Sequence, residues 1–166
     1  MNHKKKILIV LGLLHCVYAS VAQTDSAVKD FLAAEWSQPP KPQRLWIDKN
    51  KKQFIEKSIN PSQIKLSYRY WKDDEKTLWI LDEIGKERDI TTGIIIENHK
   101  VKKVEILVYR ESRGGQVQNP QFTQQYKSKD LHSNFTKEID SISGATLSVR
   151  AVNKQVELAL WLDSQL

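Results

Sequence analysis

The order of apolar and polar residues predicts a sheet in the middle of the chain. Apolar residues alternate with polar ones over residues 64–70 and return after an acidic turn at residues 77–81. A second pair of such segments, residues 93–97 and 101–109, is separated by a turn at residues 98–100. Alternation with a period of two, broken by short polar turns, is typical of antiparallel hairpins. We therefore expect an α+β fold with an antiparallel sheet of about four or more strands.

Helices are predicted both before and after these strands in the sequence. Residues 147–162 repeat apolar side chains at steps of three and four without glycine or proline, which predicts a buried C-terminal helix. Residues 24–36 start with a capping residue and an acid and favour a first helix, although a loose tail is the alternative. Residues 50–59 and 120–126 also predict helices, and residues 45–47 either an edge strand or the approach to a helix. We expect the helices to cover one face of the sheet.

The beginning of the chain has the composition of a secretory signal peptide. Three lysines precede an apolar run at residues 7–14, and small residues follow. The run is too short to cross a bilayer as a helix, so we expect cleavage after Ala22, with an uncleaved anchor as the alternative. The protein is then exported, to the periplasm or the outer face of the cytoplasmic membrane. Three regions follow: a signal peptide at 1–22, a helix with a proline-rich connection at 23–44, and one domain at 45–166.

Composition excludes several classes of function. The only cysteine, Cys16, lies in the signal peptide, and His99 and His132 have no second ligand at a metal-binding spacing, so we expect no disulfide and no metal site. The formal charge falls from +6 to +3 when the three lysines of the signal peptide are removed, and the remaining charges are mixed in sign. Nucleic acid is therefore not an expected partner. No serine or cysteine nucleophile with a nearby base is visible, so we expect no catalytic residue.

The sequence Asp-Ser-Ile-Ser-Gly-Ala-Thr-Leu-Ser at residues 140–148 places a threonine where the last helix begins. The first N–H groups of a helix are unpaired and its dipole is positive there, so such a site attracts phosphate. Gly144 and Ala145 leave space, and the Thr146 hydroxyl can either cap the helix or carry a phosphoester. Arg150 lies one turn further on and can reach back to the phosphate. A capped helix without a ligand uses the same residue types, so helix physics leaves both interpretations open.

This segment resembles the flavinylation motif of the bacterial FMN-binding domain family, which includes FMN-carrying subunits of sodium-pumping NADH:quinone reductase and of the Rnf complex. The residues that carry the resemblance are Asp140, Ser143, Gly144, Ala145, Thr146 and Ser148. Residues 79–88 and 108–115 are similar to exported single-domain members of the family. The resemblance implies that FMN is joined through its phosphate to Thr146. It also implies that a separate flavin transferase makes the bond, and that Asp140 and Ser143 help that enzyme to bind the segment.

An attached flavin needs a cleft formed by neighbouring loops. Tyr109, Glu111 and Ser112 lie at the end of the last predicted strand, where loops on a rigid sheet usually bind ligands, and we expect them to contact the cofactor. The neighbouring Arg110 and Arg113 are further candidates for polar contacts. Trp71 and Trp79 are candidates for contact with the ring, with a place in the core as the alternative.

The resemblance implies an exported FMN-binding flavoprotein that relays electrons between donor and acceptor proteins, either membrane-bound or soluble. Such a protein is a redox carrier more than a stand-alone enzyme, because the flavin itself carries the electrons. Two alternatives stay open. The domain could hold FMN without a covalent bond, with Thr146 only capping its helix, or it could be an exported binding or scaffold module that has no cofactor.

Overall fold

The computed structural model describes residues 23–166, so the predicted signal peptide lies outside the described residues. The centre of the fold is a five-stranded antiparallel sheet in which each strand pairs with its neighbours in the sequence. This confirms the predicted α+β fold and antiparallel sheet. The strands are β1 Gln43–Trp46, β2 Ser67–Asp73, β3 Lys76–Ile84, β4 Asp89–Glu97 and β5 Lys100–Tyr109.

The helices follow one another along the chain in the order that the pattern predicts. They are α1 at residues 23–35, α2 Lys49–Ser58, α3 Pro120–Thr123, α4 Phe135–Glu138 and α5 Thr146–Asp163, with 3₁₀ turns at Gly115–Gln118 and Gln124–Tyr126. Over residues 23–166, no helix combines the length and the apolar character needed to cross a membrane.

The turn between β4 and β5 has two residues, Asn98 and His99, because β5 already begins at Lys100, the last residue of the predicted turn. Asn98 and His99 both have positive φ angles, 53° and 58°, as a type I′ turn requires. Asparagine tolerates this left-handed conformation better than most residues. β2 starts at Ser67, later than the alternation from residue 64 predicts.

Helix α5 packs on one face of the sheet and forms the larger core with it. Val152 and Val156 are fully buried on the helix, and Trp79 is fully buried on β3, where it stacks on Tyr70 with 5.0 Å between ring centroids. Gln155, also buried, donates hydrogen bonds to backbone carbonyls of both β3 and β4. Because these bonds satisfy a polar side chain inside the core, they fix the helix in one position on the sheet.

Helix α1 packs on the opposite face, so the expectation that helices cover one face only is wrong. Phe31 lies so close to Gly93 on β4 that a Cβ there would come within 2.5 Å of its ring. Val28, Leu32 and Trp36 join Phe31 in a second core with Trp71, Leu78 and Ile95. Glu35 adds ion pairs to Lys76 and Lys102, at 2.7 and 2.8 Å. The physical reason is that the central strands carry apolar side chains on both faces, which both need cover.

Candidate functional site

The start of α5 is open. Thr146 is the first helical residue, and Ala145 before it occupies the cap position without any capping hydrogen bond from a side chain. Thr146 is exposed, and no hydrogen bond of its hydroxyl to another described residue is found. The structure therefore places Thr146 inside the helix and not in the capping role, and it leaves the positive end of the helix accessible.

A tight turn leads into this helix. The Ala145 N–H donates to the carbonyl of Ile142 at 2.9 Å, and Gly144 adopts a left-handed conformation with φ of 78°. Glycine suits this position because the conformation is costly for other residues, not because neighbouring atoms crowd it. The side chains of Asp140 and Ser143 are exposed on the same loop. Both are thus accessible to a partner that approaches the loop before Thr146.

A cleft of about 550 Å³ lies on one side of Thr146. It brings together the start of α5, the segment after β5 and the turn between β3 and β4. Its lining residues are Lys86, Glu87, Glu111, Ser112, Arg113, Gly144, Ala145, Thr146, Leu147 and Ser148. Most of the predicted site residues are therefore neighbours. Lys86 and Glu87 were not predicted as site residues, because only the pairing of β3, β4 and β5 brings their turn to this cleft.

Glu111 joins two walls of this cleft. Its Oε1 atom accepts hydrogen bonds from three consecutive backbone N–H groups, those of Lys86, Glu87 and Arg88, at 2.5, 2.7 and 2.9 Å. Partial burial raises the pKa of Glu111, but the hydrogen bonds from these three N–H groups lower it by more. The pKa of Glu111 therefore lies below its ordinary value. The carboxylate is therefore ionised at neutral pH, and backbone dipoles balance its charge.

Tyr109 lies behind the cleft wall. Its hydroxyl donates to the carbonyl of Arg113 at 2.5 Å and shares a hydrogen bond of 2.9 Å with Ser148 on α5. Gly114 passes between these groups with φ of 84°. This predicted cofactor contact thus holds the loop after β5 against the helix that carries Thr146.

The tryptophans and Arg110 do not face the cleft. Trp79 and Trp71 lie in the two cores on opposite faces of the sheet, which corresponds to the alternative place considered for them. The guanidinium of Arg110 bonds to the hydroxyls of Thr24 and Thr91, and it therefore ties the start of α1 to the sheet.

A second cleft, of about 420 Å³, lies on the other side of Thr146. Arg150 and Lys154 line it, together with Ser141 from the loop before α5. Thr146 therefore stands between two clefts, and Arg150 shares only the second one with it. Glu157 lies at this cleft as well, where burial raises its pKa although Lys154 lowers it in part.

The described residues fit a flavin phosphate at Thr146. An exposed hydroxyl stands at an uncapped helix N-terminus, with Arg150 on one side and Lys86 and Arg113 on the other. Cations and free N–H groups are the partners that a phosphate prefers. Within residues 23–166, no cluster of three or more histidine, cysteine or acidic side chains is placed to hold a metal ion.

Comparisons with known proteins concern the family and the fold of this chain. A search of curated proteins finds no match. Among solved structures, the chain is similar to NqrC from Shewanella oneidensis, with a TM-score of 0.53 and 17% identity over 78% of this chain and 82% of that one. At this identity the likeness shows a shared fold. Residues 85–161 match the FMN-binding domain family, and this range contains every residue that lines the first cleft. This part of the chain therefore belongs to the FMN-binding domain family, and its cofactor is FMN.

Proposed function

We propose that the protein is an exported electron carrier in which the phosphate of FMN is esterified to the hydroxyl of Thr146. The observation that carries the proposal is the position of this hydroxyl, which is exposed at an uncapped helix N-terminus between two clefts. A phosphoester at that oxygen would lie beside the unpaired N–H groups of the first turn. These groups and the helix dipole stabilise negative charge there.

The residues around Thr146 have distinct roles in this proposal. Arg150 stands in the second cleft, one helical turn from Thr146, and would pair with the phosphate. Lys86 and Arg113 line the first cleft, where positive charge favours the reduced, anionic form of a flavin and so raises its reduction potential. FMN supplies the redox chemistry, since it takes up and releases one or two electrons.

Attachment requires a second protein. A threonine hydroxyl is a weak nucleophile without a base, and no histidine among residues 23–166 lines either of the two clefts. A flavin transferase that uses FAD solves the problem: the Thr146 oxygen bonds to the flavin phosphate, adenosine monophosphate leaves, and the hydroxyl proton passes to a base of the transferase. Asp140 and Ser143, exposed on the same loop, are the groups we assign to binding this enzyme.

Export follows from the predicted signal peptide at residues 1–22. A mature chain without cysteine suits an oxidising compartment. We therefore place the protein in the periplasm or on the outer face of the cytoplasmic membrane, where it would exchange electrons with donor and acceptor proteins.

The test is co-expression with a flavin transferase, followed by a denaturing gel viewed for flavin fluorescence and by intact-mass measurement. The proposal predicts a fluorescent band for the wild type, none for Thr146→Val, and a weaker band for Ser143→Ala. Thr123→Val is the matched control, because Thr123 lies on α3 and lines neither of the two clefts, and it should load normally.

Other outcomes would select the alternatives. Yellow protein that loses its colour on denaturation would indicate FMN bound without a covalent bond. Colourless protein of unmodified mass would indicate a binding or scaffold module without cofactor. Normal loading of Thr146→Val would contradict the attachment site.

A further inference from the structure

The turn between β3 and β4 is held from outside by a single carboxylate. Three consecutive N–H groups, at Lys86, Glu87 and Arg88, converge on Oε1 of Glu111. Consecutive N–H groups that point to one spot form a concave site for an anion. In this protein the anion belongs to the chain, from a residue more than twenty positions away in the sequence.

Gly85 makes the close approach of Glu111 possible. A Cβ atom on Gly85 would lie 2.9 Å from Oε1 of Glu111 and 3.1 Å from Ile90. The Gly85 N–H also donates to the carbonyl of Arg88 at 3.1 Å, which closes the turn. A side chain at position 85 would therefore displace the carboxylate from the three N–H groups.

The negative charge of Glu111 interacts with the backbone N–H groups of this turn. Its pKa is lowered by the backbone N–H groups against the effect of partial burial, so it is ionised at neutral pH. Lys86 forms an ion pair with Glu87, at 3.4 Å, and its positive charge also lowers the pKa of Glu111. The side chain of Lys86 keeps 69% of its surface exposed, at the wall of the first cleft.

We propose that Glu111 is a positioning residue: it fixes the turn at residues 85–88 so that Lys86 faces the flavin cleft and raises the reduction potential of FMN. This inference rests on the proposed function, because it places the flavin in the first cleft. It also replaces the expectation of a direct contact between Glu111 and the cofactor. The two roles predict opposite changes of the reduction potential when Glu111 is replaced. If the negative charge of Glu111 acts directly on the flavin, it lowers the potential, and its removal raises the potential. If Glu111 instead positions Lys86, its removal displaces the cation and lowers the potential.

The holding of the turn is tested without flavin, by amide hydrogen exchange of the apoprotein measured by NMR. Glu111→Ala should speed exchange at residues 86–88 on the order of tenfold, the usual effect of losing charge-assisted hydrogen bonds. Glu111→Gln keeps an acceptor oxygen and should lose less protection. Glu105→Ala is the matched control, because Glu105 is an exposed glutamate on β5 that pairs with Lys103. Unchanged exchange in Glu111→Ala overturns the proposal.

The positioning role is tested by the midpoint potential of the flavin-loaded protein. Glu111→Ala and Gly85→Ala should both shift the potential to more negative values, although Gly85→Ala keeps the carboxylate. Lys86→Ala should give a similar shift, and the double variant Glu111→Ala with Lys86→Ala should shift no further than Lys86→Ala. A rise of the potential in Glu111→Ala, or no shift while exchange accelerates, overturns the positioning role. A wild type that takes up no flavin contradicts the proposed function, and the exchange result then decides alone whether Glu111 holds the turn.

Discussion

Replacing Gly114 by alanine tests how the cleft wall is held against α5. Gly114 has φ of 84°, and a Cβ there would lie 2.8 Å from Oγ of Ser148, 2.9 Å from the hydroxyl of Tyr109 and 3.3 Å from Cα of Ala145. Rotation of side chains can relieve the first two contacts only by breaking the hydrogen bond between Tyr109 and Ser148. The third contact is with backbone, at the residue before Thr146. The methyl group should therefore push the loop away from the helix.

Gly144 provides a control with the same backbone conformation. Its φ is 78°, and a Cβ there would meet no atom within 4 Å. Left-handed conformation costs a residue other than glycine about 1–2 kcal/mol at either position. Overpacking adds about 1–3 kcal/mol, and only at Gly114. We expect Gly114→Ala to lose about 2–5 kcal/mol of the free energy of unfolding and Gly144→Ala about 1–2 kcal/mol.

Urea denaturation of the apoprotein measures both losses, and an unchanged m-value shows that the variants unfold as the wild type does. A loss at the upper end for Gly114→Ala is a large part of the stability of a domain of this size, about 5–15 kcal/mol. Equal losses in the two variants would refute the reasoning, because the contacts at Gly114 would then cost nothing. A greater loss in Gly144→Ala would refute it more strongly.

Three further changes probe the same region. Tyr109→Phe removes the hydrogen bonds to Arg113 and Ser148 and should cost about 1 kcal/mol in urea denaturation; no loss would contradict the proposed clamp. Burial raises the pKa of Glu157, although Lys154 lowers it in part. The ionised form of Glu157 therefore destabilises the fold, and the free energy of unfolding rises as pH falls through the folded-state pKa. Glu157→Gln should therefore gain about 0.5 kcal/mol at neutral pH and less near the pKa of an ordinary carboxyl group, and a gain that grows on acidification would count against it. The pKa of Glu111 is lowered on balance, so the stabilisation that its carboxylate provides is complete above the unfolded-state pKa and is lost as pH falls through the lower folded-state pKa. Glu111→Gln should therefore be less stable than the wild type at neutral pH, and thermal unfolding should show that this difference in stability becomes smaller in acid.

The strands and the last helix could be predicted because local patterns determine them. Alternation in β2 and β5 and the turn at Asn98 and His99 identify the hairpins. The second covered face of the sheet also left a signal in the sequence. The run from Leu78 to Leu81 in β3 and three isoleucines in β4 are continuously apolar, which is typical of strands buried on both faces.

The site could be predicted only as far as it is local. The threonine at the start of α5 follows from neighbouring residues, and the structure places it there. The bonds between Glu111 and the turn at residues 86–88 join segments more than twenty positions apart. They depend on the pairing of three strands, which one sequence does not specify atom by atom. The same reason explains why the separation of Arg150 from Glu111 into two clefts was not foreseen.

Peptide mapping of the protein after co-expression with a flavin transferase tests the central claim most directly. The account predicts that the peptide containing residue 146 is heavier by one FMN minus one water, and that fragmentation assigns the added mass to the Thr146 side chain. Flavin bonded to any other residue, or yellow protein in which Thr146 is unmodified, would contradict the account.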